Sequence, residues 1–403
     1  MTVIFYILFI ILFVYLLIAS SYLFIFSIAG KFYKPVPAPP ARHYNNIAVL
    51  IPAYREDPVI ISSVEDLLKQ DYPAEHFKIF VGAHFLEAST LELLSRLPVE
   101  TVLIKGDYGS KALTLQTILN QVQNDRFDIA LILDADNHLA ANGLRKINNN
   151  FESGAKAVQV HRMAKNMNNA FAIFDALAEE INNHLFRKGP SALGFSANTI
   201  GSGMAFGFNE LKRIYNLPGI IYNPACDREV DYESMRNGIS IAYIDDTYVL
   251  DEKVQSARVF TRQRTRWMES QWWHIKKFFS EKDKKVIYSK EFANKLFSNL
   301  LPSRVLMLWL FMLVIVLSII DQQTGWQYIY PSFSWWLIPF LLFFLSLLIA
   351  IPYRMFRGKL LSVFLLMPSM MIYYVKSLLG VRSGRKHFEH TPKTFTGKKE
   401  QKH

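Results

Sequence analysis

The chain has 403 residues, of which 51% are hydrophobic and 14% aromatic, so it is long enough to bury a large core. Its formal net charge of +11 suits either nucleic acid or an anionic membrane surface as a partner. A single cysteine, Cys226, excludes an internal disulfide and a cysteine metal site, which indicates a reducing compartment.

The N-terminal segment is the first of several long apolar stretches. Residues 3–28 are almost entirely apolar and exceed the ~20 residues that are needed to cross a bilayer. No basic residue precedes them and no small-residue cleavage site is evident, which favours an uncleaved membrane helix. Lys31, Lys34 and Arg42 follow, so the positive-inside rule places the next segment in the cytoplasm. A stiff proline-rich linker, Pro35 to Pro40, then leads into the main domain.

Strands and helices alternate from residue 47 onward. Hydrophobic periodicity predicts strands at 47–52, 77–82, 101–104 and 128–133, with helices at 59–69, 89–97 and 110–123 between them. Further along it predicts a helix at 141–151, a strand at 155–160, a helix at 168–188 ended by Gly189 and Pro190, and strands at 239–243 and 247–250. This alternation indicates an α/β fold with a parallel, doubly wound sheet.

Two carboxylates directly follow the strand at 128–133. Side chains alternate along a strand, so Asp134 and Asp136 project to the same side at its carboxyl end, where open α/β sheets bind ligands. Such a pair can hold a hard divalent cation, which offsets the charge of a diphosphate. The alternative is an acidic turn without a metal, because Asp-x-Asp also occurs often by chance.

Three later segments also carry polar or charged side chains. The small-residue segment 191–207 is either a substrate-facing loop or a connector. The acids of 227–233 open a helix, where most of them complement the helix dipole. Residues 255–279 predict a basic helix with interleaved tryptophans, which suits a membrane surface, an anion clamp or a groove for a ring-shaped substrate.

The C-terminal part is predicted to return to the membrane. After an amphipathic interface helix at 289–301, two spans are expected at 305–320 and 335–351. The loop between these spans has no Lys or Arg and the segment after them has three, which places the first outside and the second inside. The stretch 360–379 contains Pro368 and Lys376, so we interpret it as re-entrant or interfacial, with the basic tail in the cytoplasm.

Taken together, three motifs resemble those of the membrane-embedded family 2 glycosyltransferases, the group that contains cellulose, chitin, hyaluronan and poly-N-acetylglucosamine synthases. The motifs are Asp134-x-Asp136, the acid cluster at 227–233 and Gln263-x-x-Arg266-Trp267 beside membrane spans. The resemblance runs from Ile47 to Trp273. It implies a GT-A-like doubly wound nucleotide-binding domain inserted between transmembrane helices, with amphipathic interface helices.

The expected domain layout follows this resemblance. It comprises an N-terminal transmembrane helix (1–30), a linker (31–46), a cytoplasmic GT-A glycosyltransferase domain (47–280), an interface helix (281–304), C-terminal transmembrane or re-entrant helices (305–380) and a basic cytoplasmic tail (381–403). The protein is therefore expected to be integral to the plasma or inner membrane.

The resemblance also implies roles for particular residues. The donor nucleotide would be bound by Pro52, Tyr54, Glu56, His84, Lys111 and Asp134. The metal, Mg²⁺ or Mn²⁺, would be held by Asp136 and Asp134, and the acceptor and diphosphate would meet Gln263, Arg266 and Trp267. Asp231 best matches the catalytic base, with Glu229 as the rival. His84 stands where the family usually has an aspartate, and Val230 where it has a glutamate.

The implied activity is inverting, metal-dependent transfer of a sugar from a nucleotide sugar, in the first place a UDP-sugar, to a growing polysaccharide. One alternative is the transfer of a single sugar to a lipid, giving a glycolipid or a glycosylated polyprenyl phosphate. Another is a non-catalytic membrane scaffold with a decayed transferase fold, which the departures at His84 and Val230 permit. A partner subunit is compatible with each of these functions. Nucleic acid is disfavoured as a partner because the basic residues adjoin hydrophobic spans.

Overall fold

A computed structural model describes residues 2–123, 126–223, 225–356, 360–381, 393 and 395 of the chain. The strands are β1 (Ile47–Tyr54), β2 (Phe77–His84), β3 (Glu100–Leu103), β4 (Ile129–Ile132), β5 (His138–Leu139), β6 (Ala157–Ala164), β7 (Met204–Gly207) and β8 (Ile241–Asp251). The helices of the domain are α2 (Asp57–Leu67), α3 (Ala88–Ser95), α4 (Lys111–Gln121), α5 (Gly143–Glu152), α6 (Ala170–Asn183), α7 (Gly189–Ala192), α8 (Phe208–Tyr215), α9 (Cys226–Arg236) and α10 (Ala257–Phe279).

The helices outside this domain lie at the two ends of the chain. They are α1 (Thr2–Lys31), α11 (Lys284–Ile287), α12 (Lys290–Leu300), α13 (Arg304–Thr324), α14 (Phe333–Ala350) and α15 (Leu360–Leu379). By length and hydropathy, α1, α13 and α14 are long and apolar enough to cross a membrane. The expectation of apolar helices flanking an α/β domain is confirmed.

One sheet organises the domain, with the strand order β3-β2-β1-β4-β7-β6-β8-β5. Strands β3, β2, β1 and β4 are parallel, as the sequence predicts. Strand β7 is antiparallel to both β4 and β6, and β5 is antiparallel to β8, so the whole sheet is mixed. Unlike the parallel sheet that the sequence predicts, the sheet is not fully parallel, because the loop before β7 returns the chain beside the end of β4. There the Gly203 N–H donates to the Ile132 carbonyl at 2.9 Å.

Alternating side chains of the strands form two cores, one on each face of the sheet. In β1, Ala48 and Leu50 belong to the core beneath α4 and α8, whereas Val49 and Ile51 belong to the core beneath α2 and α5. This alternation is the period of two expected of a strand buried on both faces. The buried cores fix the carboxyl ends of the strands, where the cleft described below lies.

Two predicted element boundaries are wrong. The helix after β6 is not stopped by Gly189 and Pro190, because α6 continues through a π-helical turn at His184–Lys188 into α7. Pro190 lacks the N–H that would bond to the Phe186 carbonyl four residues earlier, and this carbonyl instead accepts a hydrogen bond from the Asn198 N–H at 3.1 Å. The strands predicted at 239–243 and 247–250 form the single strand β8, whose pairing with β6 shifts register at Val160/His161.

The apolar helices pack together at one end of the molecule. Phe13 of α1 meets Trp336 of α14 edge to face at 5.2 Å, and Phe311 of α13 lies 5.6 Å from Phe343 of α14. Helix α15 lies against α10, where the Thr265 hydroxyl donates to the Ser377 carbonyl at 3.2 Å. The interpretation of α15 as re-entrant or interfacial stays a prediction.

Candidate active site

A cleft of about 510 Å³ opens at the carboxyl ends of the strands, between the sheet and helices α9, α10 and α12. It brings together almost every site residue predicted from the sequence, namely Pro52, Tyr54, Glu56, Lys111, Asp134, Asp136, Asp231, Gln263, Arg266 and Trp267. The exception among the predicted residues is His84, which is not part of the cleft lining. Segments that are more than 200 residues apart in sequence therefore meet at one site.

Asp134 lies at the end of β4 and faces a lysine. Its backbone N–H donates to the Ser202 hydroxyl at 3.0 Å, and its carboxylate pairs with Lys111. Lys111 also donates to the Gly201 carbonyl at 2.6 Å. Burial lowers the pKa of Lys111, but the neighbouring Asp134 carboxylate outweighs this effect and the net pKa is raised. The lysine therefore carries its positive charge within the cleft.

Asp136 is 2% exposed and holds a cationic group from the C-terminal segment. Its Oδ2 accepts hydrogen bonds from the Glu252 N–H at 2.8 Å and from the Lys393 ammonium at 3.1 Å. Lys393 is also 3.6 Å from Asp251. The neighbouring basic tail residues Arg382, Arg385 and Lys386 lie outside the described residues. Asp136 thus sits where a positive charge is stabilised.

The residues present fit a divalent cation in this cleft. Asp134 and Asp136 provide carboxylate oxygens, which are hard ligands, and the Lys393 ammonium shows that the site accepts a cation. Among the described residues, no group of three or more His, Cys, Asp or Glu side chains is arranged to hold a metal. A protein site with few ligands leaves coordination positions for a diphosphate, as is common for Mg²⁺.

Helix α9 carries both acids predicted as candidates for the catalytic base, and it places one of them in the cleft and the other outside it. Asp231 lines the cleft and accepts a hydrogen bond from Lys295 at 2.9 Å. Glu229 does not line the cleft; it pairs with Lys277 and accepts a hydrogen bond from the Asn223 amide at 2.9 Å. Burial raises the pKa of Glu229, but His274 and Lys277 outweigh this effect and lower it. Glu229 is therefore part of a separate ion cluster between α9 and α10.

Sequence reasoning missed a second acid of α9, Asp227. It also lines the cleft, and the loop after α7 closes on it, because a Cβ at Gly201 would lie 3.3 Å from the Asp227 Cβ. Asp227 and Asp231 are four residues apart in a helix, so they lie on the same face. That spacing was a signal in the sequence from which Asp227 could have been found. The segment 191–207, for which the sequence allows a substrate-facing loop or a connector, contributes Gly201 to the cleft wall.

Helix α10 carries the predicted Gln263, Arg266 and Trp267, and a neighbouring arginine fixes the tryptophan. The Arg264 guanidinium lies 4.0 Å from the centre of the Trp267 ring and donates to Asp175 at 2.5 Å. A cation over an aromatic face is attracted by the ring quadrupole. Asp175 belongs to α6, whose buried acids were not predicted as part of the site. Their only signal was the presence of carboxylates in a mostly apolar helix.

His84 is buried behind the wall of the cleft. It is 1% exposed, its Nε2 lies 3.0 Å from the Gly106 carbonyl, and its ring meets Tyr54 edge to face at 5.1 Å. Tyr54 is the residue that faces the cleft. The structure thus separates His84 from the cleft surface by one aromatic ring.

The chain is similar to known glycosyltransferases in sequence and in fold. The profile of the family described as "Glycosyltransferase like family 2" matches residues 44–270. Among solved structures, the chain is similar to the mannosyltransferase PcManGT from Pyrobaculum calidifontis in complex with GDP-Man and Mn²⁺, with a TM-score of 0.56 and 16% identity over 90% of this chain and 97% of that one. It also matches S. aureus TarS 1-349, with a TM-score of 0.39 and 12% identity over 84% of this chain and 93% of that one. No curated protein matches its sequence.

The family match covers more than half of the chain, and it coincides with the domain that carries the cleft. The fold of that domain agrees with the likeness to PcManGT. The protein belongs to the family 2-like glycosyltransferases and is a glycosyltransferase with a GT-A fold.

Proposed function

We propose that the protein transfers a sugar, with inversion, from a nucleotide sugar to an acceptor at the membrane, using a divalent cation. One observation carries this proposal: Asp136, Asp231 and Trp267 line the same cleft. The GDP-Man and Mn²⁺ bound to PcManGT support a nucleotide sugar and a divalent cation as the ligands of this fold. A non-catalytic scaffold is not proposed, because the chain belongs to a glycosyltransferase family and keeps these acids together.

The donor would bind at the end of the cleft formed by Pro52, Tyr54, Glu56 and Lys111. Tyr54 packs so closely on the turn before α4 that a Cβ at Gly109 would lie 2.2 Å from its ring. This packing supports a fixed wall for the nucleotide, with His84 behind it. Resemblance to polysaccharide synthases favours a UDP-sugar, and the PcManGT complex supports a GDP-sugar as the second candidate.

Charge in the cleft would stabilise the departing nucleoside diphosphate. Asp134 and Asp136 would hold Mg²⁺ or Mn²⁺, which when bound supplies positive charge next to the diphosphate. Lys111 and Arg266 line the cleft and would add fixed positive charge close to the same oxygens. Gln263 and Trp267, on the same helix as Arg266, would contact the acceptor.

The proposed proton acceptor is Asp231. As the acceptor hydroxyl oxygen attacks the anomeric carbon, its proton would pass to the Asp231 carboxylate, while the bond from that carbon to the diphosphate breaks. Asp227 is the second candidate, since it lies on the same face of α9 and its charge acts on Lys111 near the donor end. Glu229 is disfavoured because it lies outside the cleft.

Isosteric amides test these two assignments. We expect Asp231→Asn to lower kcat by about 10²- to 10⁴-fold, because the carboxylate no longer takes the proton. Donor binding, measured with the unreactive nucleoside diphosphate, should be preserved. Asp227→Asn should lose less activity than Asp231→Asn. If Asp231→Asn keeps wild-type kcat while Asp227→Asn is inactive, the role of base belongs to Asp227.

The resemblance favours a growing polysaccharide as the acceptor, but one observation supports a lipid-linked acceptor as the second candidate. Among the described residues, none from α1, α13 or α14 lines the cleft, and these helices meet through apolar and aromatic side chains. A polymer would therefore need a passage formed with a partner subunit. Product size separates the two acceptors: membranes incubated with labelled nucleotide sugar would give a ladder of products for a polymer, and one organic-soluble product for a glycolipid.

We further propose that the cleft faces the cytoplasm, within the domain layout predicted from the sequence. Lys31 ends α1, and Lys34 and Arg42 follow it on the side of the domain. Lys393 reaches Asp136, which supports a location of the C-terminal segment on that same side.

A further inference from the structure

Lys295 of α12 is a charged side chain that is almost completely buried beside the cleft. It is 1% exposed, and its ammonium donates to the Ala197 carbonyl at 3.0 Å, to Asn198 Oδ1 at 2.6 Å and to Asp231 Oδ1 at 2.9 Å. An ammonium has three N–H donors, so all of them are satisfied. Lysine is almost never fully buried unless it is paired. Because the ammonium is enclosed, Lys295 acts through these partners rather than by touching substrate.

The three partners of Lys295 belong to two walls of the cleft. Asp231 is on α9, and Asn198 lies in the loop between α7 and β7; both line the cleft. The hydrogen bond to Asp231 uses Oδ1. Within the described part of the chain, no hydrogen bond to Asp231 Oδ2 is found, which leaves this oxygen as the one that can meet an acceptor hydroxyl. A single directional contact therefore fixes the orientation of the carboxylate.

Helix α12 also contacts the N-terminal apolar helix. The Tyr22 hydroxyl donates to Asn294 Oδ1 at 2.8 Å, and the Tyr15 hydroxyl donates to the Leu300 carbonyl at 2.8 Å. Asn294 and Lys295 are adjacent, so one turn of α12 binds both α1 and Asp231. Helix α12 therefore links α1 to the acid of the cleft.

We propose that Lys295 is a positioning residue that orients the Asp231 carboxylate for proton transfer, and that it thereby makes the interface helix α12 part of the catalytic geometry. The inference rests on the proposed role of Asp231 as the base. Other charged groups near Asp231 are Arg187, Arg228 and Glu291, with which it interacts through space. Among the described residues, Lys295 is the one that forms an ion pair with it.

The test compares Lys295→Met and Lys295→Arg with wild type in the purified full chain. A displaced catalytic group costs about 10²-fold in rate, so we expect Lys295→Met to lower kcat by about 10- to 100-fold while KM for the donor stays near the wild-type value. Lys295→Arg keeps the charge with a different geometry, so its kcat should lie between those of wild type and Lys295→Met. A kcat of Lys295→Met equal to wild type would overturn the proposal.

Lys277→Met is the matched control, because it removes an ion pair from the opposite face of α9. Lys277 pairs with Glu229 and Glu233, and it does not line the cleft. This variant should lose thermal stability yet keep kcat per folded molecule. If Lys277→Met lowers kcat as much as Lys295→Met, the effect of Lys295 is one of general stability and the proposal fails.

Two further variants separate this inference from the proposed function. If Asp231→Asn keeps wild-type kcat, the proposed base is wrong. If Asp231→Asn is inactive but Lys295→Met and Lys295→Arg both keep wild-type kcat, only the positioning inference is wrong. In the Asp231→Asn background, Lys295→Met should have no further effect on kcat, because the group that it positions is absent. Should Lys295→Met fail to fold, Lys295→Arg alone decides, and an unchanged kcat then contradicts the proposal.

Discussion

At the scale of residues, the floor of the cleft is a network of buried charges that are paired with one another. Arg162 donates to Glu179 at 2.6 Å, and Lys253 donates to Asp251 at 2.8 Å. Burial raises the pKa of Glu179, but the adjacent Arg162, Lys253 and Arg187 outweigh this effect and hold it at about 2. Charges fixed in this way are already oriented before a substrate binds, which is the condition for electrostatic stabilisation of a transition state.

His161 gives a pH-dependent prediction at this scale. Burial lowers its pKa, but hydrogen bonds to Asp245 and Glu180 raise it by more, so the net pKa lies above the usual 6.5. Lys188 pairs with Asp245, and Arg354 pairs with Glu180. A pKa that is higher in the folded state contributes stability below about pH 6.5, and this contribution is lost as the pH rises through the folded-state pKa.

We therefore expect the thermal midpoint of wild type to exceed that of His161→Gln most at about pH 6, and this difference to shrink towards about pH 9. Thermal unfolding of both proteins in the same detergent, followed across this range, measures the difference. A difference that grows with pH would contradict the assigned direction of the pKa shift.

The sequence predicted those cleft residues whose positions follow from local spacing. Asp134 and Asp136 follow a buried strand, and Gln263, Arg266 and Trp267 share one helix, so their placement needs little tertiary information. Lys295 carried no comparable signal. Its role depends on α12 packing against α9, 64 residues away in sequence, and an isolated lysine in an amphipathic helix is ordinarily a solvated residue.

At the scale of elements, α1 packs unusually closely against the end of α6 and against α7. His184 donates to the Ser27 carbonyl at 2.7 Å, and a Cβ at Gly189 would lie 2.4 Å from the Phe26 carbonyl oxygen. The sequence pattern predicts the end of a helix at Gly189 and Pro190. The structure shows that Gly189 instead allows two helices to approach, a tertiary requirement that local patterns do not reveal.

Gly189→Ala tests this contact. Alanine favours a helix over glycine by about 0.5–1 kcal/mol, but the added methyl group would overlap backbone that cannot rotate away, at a cost of about 1–3 kcal/mol. The second effect is larger, so we expect a lower thermal midpoint in detergent. The control is Gly207→Ala, where no heavy atom lies within 4 Å of the added Cβ. Equal midpoints for both variants would contradict close packing at Gly189.

At the scale of the whole molecule, the apolar helices and the α/β domain form one connected structure. Hydropathy is a property of a continuous segment, so the sequence located α1, α13 and α14 to within a few residues. The parallel half of the sheet was also predicted from local information, because its strands and helices alternate along the chain. The antiparallel β7 and the contact of Lys393 with Asp136 join segments that are distant in sequence, so no local pattern predicted them.

The most direct test of the account is whether the purified full chain turns over a nucleotide sugar only when a divalent cation is present. Nucleoside diphosphate release would be measured from a panel of UDP- and GDP-sugars after chelation and after adding back Mg²⁺ or Mn²⁺, for wild type and Asp136→Asn. We predict cation-dependent release by wild type with at least one donor, and a loss of about 10²-fold or more in the variant. Turnover that is independent of the cation, or equal in Asp136→Asn and wild type, would contradict the account.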